Sequence, residues 1–114
     1  MDSKTSVEEL KGLIRDFVAA REWENFHRSK HLAMSIAIEA AELMEHFQWT
    51  DADEGQTLLA NNEKKNEISD ELADILIYCL AFANQAEIDI TLAIRSKLDR
   101  NEFRFPPVEN KGSD

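Results

Sequence analysis

Cysteine, proline and glycine are all scarce in this chain: one, two and three respectively in 114 residues. A lone Cys79 excludes an intrachain disulfide, so nothing asks for an oxidising compartment. So few glycines and prolines leave too few turn residues for a β-sandwich, a barrel or a loop-rich scaffold. Positive charge is short as well, with 13 Lys and Arg against 23 Asp and Glu and a formal net charge of −10. Binding to a DNA or RNA backbone needs a basic surface, so a nucleic acid polymer is not an expected partner. No run reaches the ~18 uninterrupted apolar residues of a membrane span. Met1-Asp2-Ser3-Lys4 also lacks the apolar stretch of a secretory leader. The expectation is a cytoplasmic protein without a membrane partner, with Cys79 a buried thiol in the most apolar segment.

The residues that are present point to helices. Hydrophobic residues at 43% and charged residues at 32% suit one helix-rich domain, and the length allows an ordinary core without staples. Ser6-Val7-Glu8-Glu9 fits a capping box, and Val7, Leu10, Leu13, Ile14, Phe17 and Val18 recur at helical spacing to about Arg21. The periodicity stops over Trp23 to Ser29. A second helix is expected over Lys30 to Gln48. Thr50 to Gly55 reads as a turn, and Gln56 to Ala60 as at most a short helical turn. A long third helix is expected over Glu63 to Ala86, and a fourth from an Asp89 cap over Ile90 to Phe103. Pro106 and Pro107 stop it. The reading is therefore all-α and four-helix-bundle-like, with one domain over 1–106 and a disordered tail over 107–114.

Two of these helices carry a charge problem. The stretches Leu32–Met44 and Glu71–Ala83 are apolar at nearly every angle of the helical wheel, yet each holds two carboxylates three residues apart. Positions i and i+3 share a helix face, so Glu39 with Glu42, and Glu71 with Asp74, form two acidic clamps. Carboxylates about 6 Å apart repel by roughly 3 kcal/mol at an effective dielectric near 20. If the clamps face each other, they need cations or raised pKa values. All-oxygen ligands favour magnesium, manganese or calcium over zinc. Magnesium, commonly shared between carboxylates and phosphates, points to a nucleotide.

Greasy surface on both helices exceeds what two further helices can cover. A second copy of the chain is the economical cover, so a homodimer or homotetramer is expected. Phe17, Met34 and Phe82 are assigned to the core.

Three segments carry a family resemblance: Trp23-Glu24-Asn25-Phe26-His27, the run from Glu39 through Phe47-Gln48-Trp49, and Glu71 through Tyr78. Together they resemble the MazG-like all-α nucleoside triphosphate pyrophosphohydrolases, and within them the dCTP pyrophosphatase branch. The signature is ExxE, a spacer and ExxD. The ending Ser96-Lys97-Leu98-Asp99-Arg100-Asn101 to Phe105-Pro106 extends the likeness over about Trp23 to Pro106. The resemblance implies that Glu39, Glu42, Glu71 and Asp74 bind Mg²⁺, with Mn²⁺ as substitute. It implies hydrolysis of a nucleoside triphosphate to monophosphate and pyrophosphate. A carboxylate beside the metal would orient or deprotonate the attacking water; Glu42 and Glu45 are the candidates.

The same resemblance assigns the substrate contacts. Trp23 and Trp49 would wall the base, with His27 beside them; by position alone Tyr78, one turn past Asp74, either reaches the ligand or caps a buried polar group. Lys97, Asn101 and Arg104, spaced i, i+4 and i+7, would hold phosphate oxygens. His46 reads as a bundle histidine rather than a ligand. Before the second helix the chain has Arg28-Ser29-Lys30-His31, with His31 where the branch has asparagine, so a dCTP preference does not carry over directly. Two other classes stay open: a non-catalytic helical oligomerisation or nucleotide-binding module, and a related hydrolase of dUTP or phosphoribosyl-ATP.

Overall fold

Local capping chemistry sets most of the helix boundaries in the computed structural model, which describes residues 1–108. Helix α1, Val7–Ala20, starts where the Ser6 hydroxyl accepts the Glu9 N–H at 3.0 Å. A 3₁₀ turn, Glu24–Phe26, leads into α2, Ser29–Glu45. Asp51 Oδ1 accepts the Glu54 N–H at 2.8 Å and opens α3, Ala52–Ala60. Asn61 then caps α4, Asn62–Ala86, by accepting the Lys64 N–H at 3.0 Å. Helix α4 ends at Glu87 in the left-handed region (φ 55°), and the Ile88 N–H returns to the Ala83 carbonyl at 2.9 Å. Asp89 caps α5, Ile90–Arg104, at a bend of 102° from α4. No strand occurs among the described residues. No single helix among them is long and apolar enough to cross a membrane.

Helix α4 is the spine. Helix α2 packs along it, and α1 and α3 add shorter contacts. A polar clasp ties α1 to the end of α4. Arg15 donates to Asn84 Oδ1 at 3.0 Å, Asn84 Nδ2 donates to the Lys11 carbonyl at 3.0 Å, and Lys11 Nζ donates to the Ile88 carbonyl at 2.9 Å. Helix α5 runs along none of the others and buries no residue.

Several expectations are corrected. The described residues form five α-helices, not four, because Asp51 reads as a turn residue but acts as a helix cap. The acidic Asp53 and Glu54 in the first turn of α3 favour its positive end. Helix α2 stops three residues early. Its last turn tightens through His46 N–H to Leu43 O and Phe47 N–H to Met44 O, and the Thr50 hydroxyl closes on the Phe47 carbonyl at 2.9 Å. The Phe47 ring then lies so close to buried Gly55 that a Cβ there would sit 3.3 Å from it.

The core is small. Among the described residues only Leu32, Ile68, Ala81 and Ala83 are buried hydrophobic residues, so a single chain does not sheathe α2 and α4. Phe17 and Met34 are half exposed rather than core, and Phe82 and Cys79 are partly buried. The accessible surface is 9517 Å², about 3,100 Å² above the ~6,400 Å² typical of a monomer this size. The expected tail, apart from Pro107 and Val108, lies outside the described residues.

Candidate functional site

Side-by-side packing of α2 and α4 brings both clamps to one place. Glu39 and Glu42 project from α2 one turn apart, and carboxylate oxygens of Glu39, Glu42 and Glu71 lie within 4.8 Å of one another. Asp74 sits at the exposed edge of this group, and its charge acts on both Glu39 and Glu71. The cluster is thus partly open to solvent, not a sealed interior.

Crowding of like charge raises the affinity of these carboxyls for protons. Burial, then the hydrogen bond and charge of Glu42, then the charge of Asp74 push the Glu39 carboxyl from its ordinary 4.5 up to about 7. Burial, followed by Glu42, raises Glu71 as well. Glu39 Oε2 and Glu71 Oε2 are shut off from solvent and have no hydrogen-bond partner. Orphaned carboxylate oxygens this close together fit a hard divalent cation, which would satisfy them and permit full ionisation. No histidine or cysteine joins this cluster, so the donor set does not resemble a zinc site.

Chemically different spaces open on either side. Towards α1, a cavity of about 360 Å³ is lined by Phe17, Trp23, His27, Ile77 and Tyr78, with Asp74 on its wall. A neighbouring cavity of about 400 Å³ adds Phe26, Leu32 and Ser35. The His27 ring stacks near Trp23 with centroids 6.3 Å apart and planes 24° apart, and the Tyr78 ring lies 6.3 Å from His27. Phe17 meets Trp23 edge-on at 5.8 Å. His27 Nδ1 is buried without a partner. Towards α3, a cavity of about 560 Å³ is lined by Glu42, Glu45, His46, Leu58, Lys64 and Glu71. Glu45 stands exposed there, one turn past Glu42.

Of the residues singled out from sequence, Glu39, Glu42, Glu45, Glu71, Asp74, Trp23, His27 and Tyr78 all gather at this site. Trp49 does not. It is 87% exposed beyond α2 and lines none of the three cavities. Lys97, Asn101 and Arg104 lie on α5, away from the cluster's cavities, where Arg104 covers Phe105 at 5.2 Å. Sequence reasoning missed Lys64 and set aside His46. The available signal for Lys64 was its spacing: seven residues before Glu71, two helical turns, on the same face of α4.

The MazG-like family model matches residues 34–114. The chain is 33% identical to dCTP pyrophosphatase 1 of Bos taurus over 97% of its length and 66% of that relative. It is 37% identical to dCTP pyrophosphatase 1 of Homo sapiens over 89% of its length and 59% of that relative. It therefore spans roughly three fifths to two thirds of these curated relatives. The crystal structure of a pyrophosphatase from Archaeoglobus fulgidus superposes with a TM-score of 0.82 at 42% identity, covering 88% of this chain and 92% of that one. With its all-helical architecture and its paired clamps in the ExxE and ExxD order, the chain belongs to the MazG-like family.

Proposed function

We propose that this protein is a Mg²⁺-dependent nucleoside triphosphate pyrophosphohydrolase, converting a nucleoside triphosphate and water to the monophosphate and pyrophosphate. The carrying observation is the three-carboxylate cluster, with oxygens within 4.8 Å, set between an aromatic recess and an acidic cavity. Relatives named dCTP pyrophosphatase 1 and a solved pyrophosphatase support the same reading. Glu39, Glu42, Glu71 and Asp74 would hold Mg²⁺, or Mn²⁺ in its place. The cation supplies positive charge against the triphosphate and makes water a better nucleophile at neutral pH.

The chain's own residues do the rest. Trp23, His27 and Tyr78 receive the base, with the His27 and Trp23 rings already stacked near each other. Glu42 is committed to the cluster, so the exposed Glu45 one turn on takes the proton from the attacking water. A deoxycytidine nucleotide is the first substrate to try, since the relatives' names specify dCTP. His31 stands at the end of α2 that adjoins the recess and is the residue to vary if another base is preferred.

One protomer leaves Lys97, Asn101, Arg104 and Trp49 away from the cluster, and it exposes far more surface than its mass predicts. We infer a homo-oligomer, acting in the cytoplasmic nucleotide pool, in which a second copy covers these faces. The test is product analysis with each dNTP, dUTP and phosphoribosyl-ATP in the presence of Mg²⁺. Monophosphate plus pyrophosphate from one of them is expected. Orthophosphate as the product, or silence on every substrate, would overturn the reading.

A further inference from the structure

The two ends of the carboxylate cluster differ, and that difference orients a substrate. Asp74 faces the aromatic recess, while Glu42 and Glu71 face the polar cavity beside α3. A base stacks on aromatic rings, so the phosphates must extend the other way, towards Glu45, His46 and the start of α4. That end is acidic and a polyphosphate is strongly anionic, so the cavity needs a fixed cation besides any metal. Among the residues lining the three cavities, Lys64 is the only lysine or arginine.

We propose that Lys64 binds the β- and γ-phosphates and holds the pyrophosphate product, fixing the direction in which a nucleotide lies across the cluster. The proposal rests on the pyrophosphohydrolase reading above and assigns a residue within that site. Lys64 stands two turns before Glu71, about 10 Å along the helix axis, a gap that a lysine stem and one pyrophosphate bridge between them. Its ammonium group is available. Its ion pair is with Glu67, at 3.3 Å between side chains 48% and 46% exposed, a surface pair that a polyphosphate displaces readily. The backbone N–H of Lys64 separately satisfies the Asn61 cap, so changing the side chain leaves the start of α4 intact. Lys65, the next residue, does not line the cavity and supplies a control of equal charge.

The experiment titrates inorganic pyrophosphate with Mg²⁺ into the full chain by calorimetry. Inhibition of turnover by pyrophosphate and by monophosphate is measured in parallel. Lys64→Ala should weaken pyrophosphate binding about tenfold or more, as expected on losing a charge-assisted hydrogen bond. Inhibition by monophosphate should stay within about twofold, Lys64→Arg should restore most of the affinity, and Lys65→Ala should resemble the parent. If the parent hydrolyses a triphosphate but Lys64→Ala binds pyrophosphate as well as the parent does, the role of Lys64 is refuted and the activity stands. That role is equally refuted if Lys65→Ala is just as impaired, or if monophosphate inhibition weakens in step. A parent that turns over no nucleotide removes the activity and this assignment together.

Discussion

Glu39 on α2 and Glu71 on α4 bring carboxylate oxygens within 4.8 Å of each other, and each keeps one oxygen sealed from solvent without a partner. Two acids held together in this way oppose the packing of the helices that carry them. Removing one negative charge, by protonation or by substitution, relieves the fold. Binding a cation relieves it too, and leaves both groups ionised for chemistry. Substitution and pH separate these routes.

Substituting Glu39→Gln keeps the side-chain shape and removes one charge. Turnover should fall by more than about 100-fold, the upper end of what loss of an outer-shell partner costs at metal sites. Asp74→Asn should do the same although Asp74 is exposed, because its charge reaches both Glu39 and Glu71. Helix content by circular dichroism and particle size by light scattering should not change. Near-parental turnover in both variants would remove the metal assignment.

The pH dependence has a definite sign. In the folded metal-free protein the Glu39 carboxyl is raised from 4.5 to about 7, and Glu71 moves in the same direction. A carboxyl whose folded pKa lies above its unfolded value favours folding while protonated and progressively loses that contribution as pH rises through the folded value. The melting temperature in chelator should therefore drop from pH 4.5 to 7.5 relative to Glu39→Gln, and saturating Mg²⁺ should flatten the difference. Calorimetry near pH 6 in two buffers of different ionisation enthalpy should show protons released as Mg²⁺ binds. A parent and variant with superimposable pH profiles in chelator would contradict this.

Features decided by neighbouring residues were legible in the chain. The Ser6 and Asp89 caps act over three residues and appear where expected. The clamps needed only helical spacing and one pairing of helices. Where distant residues decide, reading failed. Helix α2 ends early because Phe47 settles against Gly55, a contact no local pattern reveals. Asp51 has the composition of a turn, and the same side-chain acceptor opens either a turn or a helix. Lys64 lies in a run of polar residues resembling any solvated helix start, and only the approach of α2 puts it in one cavity with Glu42. The exposure of Phe17 and Met34 was illegible for another reason: apolar composition signals burial without saying which molecule provides the cover.

The aromatic recess predicts a split between kinetic constants. Trp23 contributes the outer wall and its stacking on a base is worth about 1–3 kcal/mol, so Trp23→Ala should raise KM between about 5- and 150-fold. Metal affinity should be unaffected, because Trp23 contributes no ligand atom to the carboxylate cluster. Steady-state kinetics with dCTP, alongside Mg²⁺ titration, checks this. A variant that loses kcat with KM unchanged would place the base elsewhere.

Helix α5 supplies the last prediction. It is a 15-residue helix with no buried residue, and Leu92, Ile94, Leu98 and Phe103 are between 54% and 92% exposed. An isolated helix of this length is marginal in water, so the proposed second copy is expected to cover it. Light scattering should give at least twice the protomer mass of 13.1 kDa. Leu92→Asp combined with Leu98→Asp should shift the particle to a smaller species, and hydrogen exchange should show α5 losing protection while α2 and α4 keep theirs. If Lys97, Asn101 and Arg104 reach phosphate only in the assembly, turnover should fall with the particle size, whereas Mg²⁺ binding by α2 and α4 should persist. A 13.1 kDa species with full turnover would show that the four carboxylates and the aromatic recess of a single protomer suffice.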